Sequence, residues 1–473
     1  MYKRQIQDRS FKGNGDLFYP ENRAFFEALN EATGTQPTLN IPFVGDSLSP
    51  VGTSDIAPIW NPEAFFTTMV VNGVVWPQLE VAPALYRFRL LNGSNSRFLN
   101  LSLLQVGGMG QMTVKRELPF YQIGSDQGFL PQVVRIETGF ATPLLGNGSN
   151  VNPKYPTCTR KNGKAVRGCV NPLAGSSPEQ ALLMGLAERA DVIVDFRGRM
   201  DGDIVRMINT APDAPFGGFG DIPADPATTG QVMQFVVNSA LLGQSPTDPV
   251  LLDGVTPNLS AATDPFRLVP SAEPAGPPVT AGLAPRTLSL NEEESGSVCV
   301  EVAPDGSISW VPLVSPLSLE PGTGLPCYDP GLGVVGVPMA PKAALLGTFD
   351  PSTGISTPLL WSQAITEKPN QGDTEMWELY NLTVDGHPMH LHLVRFEVIN
   401  RELLDLATNL PNGSIRPPEP WEMGFKDTVI AYPGEVTRLK ATFDIAGLYV
   451  WHCHIVEHED NEMMRPFEVV AAP

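Results

Sequence analysis

The chain has 473 residues, of which 42% are hydrophobic and 17% charged, and its formal charge at pH 7 is −20. This length predicts two or three domains, with enough apolar residues to build their cores. The acidic balance argues against nucleic-acid binding, because few cations are free to neutralise phosphates, and no apolar run approaches the roughly 18–20 residues that span a membrane.

The first residues do not resemble a signal peptide. Residues 1–4 are followed by polar Gln5, Gln7 and Asp8, where a signal peptide would have an apolar segment. These residues instead resemble a segment from the middle of a folded protein's sequence.

Residues 1–240 are predicted to form one β-rich domain. Residues 70–77 have the β-branched content of two strands around a turn, and residues 86–91 alternate as a half-buried strand does. Residues 191–196 and 233–237 are predicted to be further strands.

This first region is expected to be a scaffold without chemistry of its own. It contains no histidine, and we interpret Arg87 and Arg89 as the solvated face of a strand.

The five cysteines predict two disulfides and one free thiol. Cys158 and Cys169 flank an Asn-Gly hairpin signal, and Cys299 and Cys327 flank a second irregular stretch, which leaves Cys453 unpaired. Two disulfides imply an oxidising compartment. The alternative is that these four cysteines remain unpaired thiols in a cytosolic protein.

Residues 241–285 are rich in Pro, Ala, Thr and Ser and predict a linker between domains. The β pattern resumes at residue 286 and continues to the end, with strands expected at 375–380, 394–398, 439–443 and 448–451. Short strands, frequent turns and the lack of a long amphipathic helix predict an all-β fold of sandwich domains.

The histidines are confined to two short windows near the end of the chain. All six lie within residues 387–392 and 452–458, and they are His387, His390, His392, His452, His454 and His458. Such clustering predicts a metal site.

Spacing divides these residues between two sites. On a strand, residues two apart face the same side, so His390 and His392 project together, as do His452 and His454, while Cys453 faces the other way. On the Cys453 side, adding His387, His458 and Met463 gives two imidazoles, a thiolate and a thioether. That set is typical of a blue-copper electron-transfer site.

Two alternatives compete with copper. Zinc also binds Cys and His, but its structural sites usually have paired ligand motifs, and methionine is a poor zinc ligand. The second is that the histidines are structural residues on strand faces.

The two windows resemble the third and fourth copper signatures of the multicopper oxidases, in the branch of the bilirubin oxidases and spore-coat laccases. The resemblance covers nearly the whole chain, apart from insertions around 145–180 and 295–345. Its flanking matches lie at residues 6–11, 17–20, 72–73, 76–81, 123–126, 187–191 and 426–428.

The resemblance implies two Greek-key cupredoxin sandwiches, a second family domain at 1–240 without copper ligands and a copper-bearing one at 286–473. It implies one-electron oxidation of phenols, pigments or metal ions coupled to reduction of O2 to water. It assigns type 1 copper to His387, Cys453, His458 and Met463 (Met464 being the alternative axial ligand), type 2 copper to His390, and the type 3 pair to His392, His452 and His454.

The family's first two signatures, which carry four more histidines, have no counterpart in this sequence. We therefore expect the first cupredoxin domain to be missing, so that the cluster is half present and is completed in cis or by a partner in trans. A signal peptide is expected on that missing part, which makes the protein extracellular or periplasmic. The alternative function is a type 1 copper protein, without an oxygen site, that transfers electrons or only binds copper.

Two further roles are predicted near the copper loop. Glu459, beside His458, is the candidate catalytic residue, because a carboxylate there could deliver protons to O2. The alternative is an acid that only shapes the loop. Residues 411–423 are a candidate substrate wall, or a plain surface loop.

Overall fold

The computed structural model describes residues 2–22, 53–107, 114–137, 142–143, 150–151, 181–218, 223–243, 280–302, 308–311, 314–315, 318–324 and 326–471. Nearly all regular structure in these ranges is β-strand, which confirms the predicted all-β fold. Within the same ranges, one α-helix, α1 (Val456–Glu459), and 3-10 turns at Ser239–Leu241 and Pro420–Glu422 accompany the strands. None of the described helices is long and apolar enough to cross a membrane.

Sixteen described strands precede residue 240. They are β1 (Tyr2–Phe11), β2 (Leu17–Phe18), β3 (Thr68–Val71), β4 (Val74–Val75), β5 (Gln78–Val81), β6 (Leu85–Asn92), β7 (Leu99–Val106), β8 (Val114–Leu118), β9 (Phe120–Gly124), β10 (Phe129–Ile136), β11 (Thr142–Pro143), β12 (Asn150–Val151), β13 (Leu183–Met184), β14 (Arg189–Asp195), β15 (Ile204–Asn209) and β16 (Gln231–Val237).

These strands form two main sheets. One has the order β10-β9-β14-β6-β1-β3-β4, with β2 paired to β1, and the other has the order β13-β7-β15-β16-β5, with β8 paired to β7; β11 and β12 pair separately. Phe88 of β6 packs against Phe235 of β16, with ring centroids 5.4 Å apart, so the two sheets share one apolar core.

Sixteen more described strands follow residue 280. They are β17 (Pro285–Glu293), β18 (Cys299–Val302), β19 (Ile308–Trp310), β20 (Tyr328–Asp329), β21 (Gly333–Val334), β22 (Val337–Pro338), β23 (Ala343–Asp350), β24 (Ile355–Leu359), β25 (Thr374–Asn381), β26 (His387–Leu391), β27 (Phe396–Leu404), β28 (Pro411–Arg416), β29 (Thr428–Ala431), β30 (Glu435–Thr442), β31 (Gly447–Cys453) and β32 (Met464–Val469).

The second set also forms two main sheets, of order β24-β23-β17-β25-β30-β27-β28 and β29-β26-β31-β32, with small sheets β19-β18-β22 and β20-β21 beside them. Trp377 of β25 meets Trp451 of β31 edge to face, at 5.8 Å between ring centroids. Both indoles are fully buried, and burying a large side chain of this kind contributes roughly 1.5–3 kcal/mol. This packing fixes the sheet that carries the histidines. The boundaries at 240 and 286 stay predictions.

The predicted turn within residues 70–77 is present. Asn72 and Gly73 connect β3 to β4 with φ of 51° and 82°. Both values lie in the left-handed region, which asparagine and glycine tolerate best, so this pair suits a two-residue hairpin.

The expectation that Arg87 and Arg89 form a solvated face holds for Arg89, which is exposed, but not for Arg87, whose side chain is mostly covered. Arg87 donates from Nε and Nη2 to the two Asp191 carboxylate oxygens, and Arg89 Nε donates to Asp191 Oδ2 over 3.1 Å. Asp191 lies on the neighbouring strand β14, and because opposite charges on adjacent strands attract, both arginines pair with it. Arg87 is thereby mostly covered, while half of the Arg89 side chain stays exposed.

Residues 411–423 are not a plain surface loop. Pro411–Arg416 forms β28, which pairs with β27, and Glu422 accepts two hydrogen bonds from the buried Arg401 over 2.6 and 2.7 Å. The pairing and the buried ion pair hold this segment in place. A substrate-wall role for it stays a prediction.

One predicted disulfide is formed. Cys299 and Cys327 are bonded and buried, and Cys453 is free and buried, as predicted. Cys158 and Cys169, and most of the predicted linker, lie outside the described residues.

Candidate metal centre

Two adjacent strands carry most of the predicted ligands. β26 and β31 pair antiparallel, with Met389 opposite Cys453 and His390 opposite His452. Opposite residues share a face of the sheet, and consecutive residues face opposite sides. The register therefore places one ligand group in the core and another on the opposite, more open face.

The core group, called here the cysteine cluster, consists of His387, Cys453 and His458. Cys453 Sγ lies 3.6 Å from His387 Nδ1 and 4.0 Å from His458 Nδ1, and the two Nδ1 atoms are 3.3 Å apart. Metal–ligand bonds of roughly 2.0–2.3 Å place the donors of a trigonal site about 3.5–3.8 Å apart. The three donor atoms thus fit one metal ion, and the thiolate–imidazole set favours copper.

The loop after Cys453 brings back the remaining candidate ligands. The chain turns through α1, where His458 N donates to Ile455 O, and Met463 is joined by backbone hydrogen bonds of 3.0 Å to both Cys453 and His458. Met463 is fully buried. Met464 pairs with His452 and so belongs to the opposite face, which favours Met463 over Met464 as the methionine that would join the cysteine cluster.

The far nitrogen of His387 is held by polar neighbours. Thr383 Oγ1 lies 2.7 Å and Asp385 Oδ1 lies 3.2 Å from His387 Nε2, which leaves Nδ1 facing Cys453. Although burial opposes it, the Asp385 carboxylate raises the pKa of His387 well above the ordinary value. Such a partner fixes ring orientation and makes the imidazole a stronger ligand.

Three carboxyl groups gather beside His387. Glu292, Asp385 and His387 offer ligand atoms that all lie within 4.8 Å of one another. Burial raises the pKa of Glu292 to about 8, and burial with the charge of Asp385 raises the pKa of Glu63 well above the usual range. Sequence reasoning missed this group, since residues 63, 292 and 385 share no local motif.

The second group, called here the histidine cluster, consists of His390, His392, His452 and His454. The Nε2 atoms of His392 and His452 are 3.2 Å apart. The His454 ring centroid lies 5.3 Å from that of His452 and 5.9 Å from that of His390. His392 is exposed and His454 half-buried, so this cluster opens to solvent on one side.

Backbone carbonyls select which nitrogens face the centre of the histidine cluster. His390 Nδ1 is 2.7 Å from Asp427 O, and His452 Nδ1 is 2.9 Å from Cys453 O, so both Nε2 atoms remain available as ligands. Burial lowers the pKa of His390, His392 and His454. Neutral imidazoles are the form that binds metal.

Glu459 lies against the histidine cluster. Its Oε2 is 3.3 Å from His452 Nδ1 and 4.0 Å from His454 Nδ1. Burial acts to raise the pKa of Glu459, but the bond to His452 outweighs it and lowers the pKa below the usual value. The acid predicted to deliver protons thus lies within hydrogen-bond reach of His452 and close to His454.

The first 240 residues hold part of the metal centre in place, which is a scaffold role. Trp60 packs against His458 at 6.0 Å between ring centroids, and Glu457 accepts hydrogen bonds from Tyr19, Asn95 and Ser96 over 2.9, 3.1 and 2.5 Å. These partners lie more than 350 residues from Glu457, and no sequence signal links them. They hold the loop that carries His458.

The chain is similar in sequence to known multicopper oxidases. The family model described as "Multicopper oxidase" matches residues 339–473, which include all the predicted ligands. A laccase of Bacillus subtilis is 28% identical over 475 residues, covering 98% of this chain and 61% of the relative; a laccase of Bacillus stratosphericus is 29% identical, with 98% and 62% covered. The predicted resemblance to multicopper oxidases is confirmed.

A solved structure shares the fold. A variant of the McoA multicopper oxidase from Aquifex aeolicus matches with a TM-score of 0.52 and 21% identity, covering 99% of this chain and 66% of that one. The chain thus spans about three fifths of the length of the two laccases it matches.

Proposed function

We propose that this relative of the multicopper oxidases is the copper-bearing part of an oxidoreductase that oxidises small substrates one electron at a time and, in the whole protein, reduces O2. The observation that carries the proposal is the cysteine cluster, in which one sulfur and two imidazole nitrogens lie 3.3–4.0 Å from one another in the core. Copper bound there would supply one-electron redox chemistry.

The chain's own residues would hold and shape that site. His387, Cys453, His458 and Met463 would hold the type 1 copper. Asp385 and Thr383 would orient His387. Since Cys453 stands between His452 and His454 in the sequence, the two clusters are joined by adjacent peptide units, which gives a short covalent path from one to the other.

Among phenols, pigments and metal ions, the carboxyl groups beside His387 favour a divalent cation as reducing substrate. Asp385 and Glu63 are buried, while Glu292 is half-buried and Val384, next to Asp385, is 83% exposed, so the group lies near solvent. Carboxylate oxygens suit hard divalent cations. A cation there would displace the protons that the raised pKa values keep on Glu292 and Glu63, and would bind the carboxylates released in this way.

We expect the copper-loaded chain to lose its blue absorption when Fe²⁺ is added without oxygen, as the copper accepts an electron. Glu292→Gln should slow the Fe²⁺ reaction about tenfold, because a cation ligand is lost, and leave the reaction with a phenol unchanged. Stopped-flow absorption measures both rates. Glu301→Gln, which changes an exposed acid elsewhere, is the matched control. Equal slowing with both reductants would contradict the cation assignment, and no bleaching by either would contradict the proposed function.

The histidine cluster would form half of an oxygen-reducing site. His390 would bind type 2 copper, and His392, His452 and His454 the type 3 pair, with the other four histidines supplied by a preceding domain or by a partner. Its opening to solvent supports such completion.

Glu459→Gln is expected to slow O2 reduction severalfold in a protein whose cluster is completed in this way, because the amide cannot relay protons to His452 and His454. The type 1 absorption should stay intact. Turnover measured across pH, beside Glu462→Gln as a control for a neighbouring acid, decides the matter. A turnover profile equal to that of the parent would show that Glu459 only shapes the loop.

A second candidate function is electron transfer or copper binding by the type 1 site alone. It is supported by the cysteine cluster, because His387, Cys453 and His458 all belong to this chain and lie close enough to share one ion. For either function we propose an extracellular or periplasmic location. The Cys299–Cys327 disulfide supports an oxidising compartment.

A further inference from the structure

We infer that Arg189 and Gln127, which belong to the histidine-free first half of the chain, are positioning residues that set the ring orientation of His390 through Asp427. The inference rests on the proposed function only in treating His390 as a copper ligand.

Two groups lie beside His390 Nδ1, and the Asp427 carbonyl is the nearer of them. His390 Nδ1 lies 2.7 Å from Asp427 O, and Thr428 Oγ1 stands 3.2 Å from the same nitrogen. The carbonyl can only accept, so Nδ1 carries the proton and Nε2 keeps the lone pair for a metal. Moving this carbonyl would turn the ring or release it to the other tautomer.

The Asp427 side chain is hydrogen-bonded to residues of the first half of the chain. Arg189 donates from Nη1 and Nη2 to the two carboxylate oxygens over 2.7 and 2.6 Å, and the Gln127 amide donates to Oδ2. Gln127 N also donates to Phe425 O over 3.2 Å, two residues earlier. The segment that bears the carbonyl is thus held by backbone and by side chain.

Arg189 is itself fixed rather than free to follow Asp427. Its Nη1 donates to Ala187 O over 3.0 Å, its Nη2 to Asp126 O over 3.2 Å, and its backbone N to Asp126 Oδ1 over 2.8 Å. A two-pronged guanidinium–carboxylate pair constrains direction as well as distance. Arg189 therefore holds Asp427, whose carbonyl bonds to His390, at a fixed position relative to β14.

Docking of the two halves does not depend on this pair alone. The buried Lys426, next to Asp427, pairs with Asp126 over 2.8 Å and with Glu188 over 3.1 Å. Replacing Arg189 should leave that contact in place. An effect on His390 can then be separated from loss of the interface.

The test uses the metal-free chain with ¹⁵N-labelled histidine, in which NMR reports the tautomer of each ring and a His390→Gln variant assigns the signal. The parent should show the Nδ1–H form of His390. Arg189→Met should raise the Nε2–H population of that ring about tenfold, and Gln127→Ala, a milder change, by less. Arg189→Lys should keep only part of the preference for the Nδ1–H form, because a lysine ammonium cannot donate two parallel hydrogen bonds to the Asp427 carboxylate.

The control is Arg197→Met, which breaks a similar two-pronged pair with Asp195 on the surface. It should leave His390 unchanged. An unchanged His390 tautomer in both folded Arg189→Met and Gln127→Ala would overturn the inference. If the inference is wrong, the tautomer is unchanged and the copper-loaded parent still shows the blue absorption. If the proposed function is wrong, the copper-loaded parent shows no blue absorption, and the tautomer result is unaffected.

Discussion

Replacing Cys453 by serine is expected to remove the intense blue absorption of the copper-loaded chain completely. The absorption requires a thiolate bound to copper, and Cys453 is the sole cysteine in either ligand window. A serine hydroxyl is a hard, protonated donor that does not replace the soft thiolate. Visible absorption and electron paramagnetic resonance spectra of parent and variant measure the effect.

The matched control retains the buried sulfur and changes the axial candidate. Met463→Leu keeps volume and burial and should leave a blue site with a shifted band, because the weak axial ligand only tunes it. A parent chain that is folded and copper-loaded but lacks the band would refute the type 1 assignment. A full-strength band in Cys453→Ser would refute the role of Cys453.

The 473-residue chain alone is expected to bind one copper tightly and to consume no O2. The cysteine cluster has its donors within one buried site, whereas the histidine cluster offers four imidazoles on a face open to solvent. Multi-electron chemistry requires metal ions held in a fixed arrangement, and this half shell would hold them weakly. Copper counting and an oxygen electrode with a phenolic donor test the expectation.

Addition of a cupredoxin domain bearing the other four histidines should then restore oxygen uptake and raise the copper count to four. His392→Gln in the chain should prevent that restoration and leave the type 1 absorption unchanged. Sustained uptake by the isolated chain with four coppers bound would contradict the half-cluster interpretation.

The sequence could predict the two clusters because they depend on local periodicity. His390 and His392 share a strand face, as do His452 and His454, and pairing of β26 with β31 then brings the faces together. That pairing joins distant parts of the sequence, but it was implied because ligands from both strands have to reach the same metal ions. The all-β fold was predictable for the same reason, since strand alternation and turn signals are local.

Contacts between distant segments could not be predicted. Glu457 bonds to Ser96 over a separation of 361 residues, and Glu63 approaches Asp385 across the junction of the two halves. Arg87 looked solvated because its partner Asp191 lies on a strand whose neighbours one sequence does not specify. Such partners are set by tertiary packing rather than by spacing along the chain.

The hydrogen bonds between the first half of the chain and Glu457 have a consequence for the speed of the proposed electron transfer. Glu457 precedes His458, and Tyr19, Asn95 and Ser96 fix it while Trp60 covers the imidazole. A ligand loop anchored in this way would rearrange little when the charge on a bound ion changes. The nuclear reorganisation energy of the proposed copper site would then be small, so that a region without a single histidine would lower the activation barrier for electron transfer.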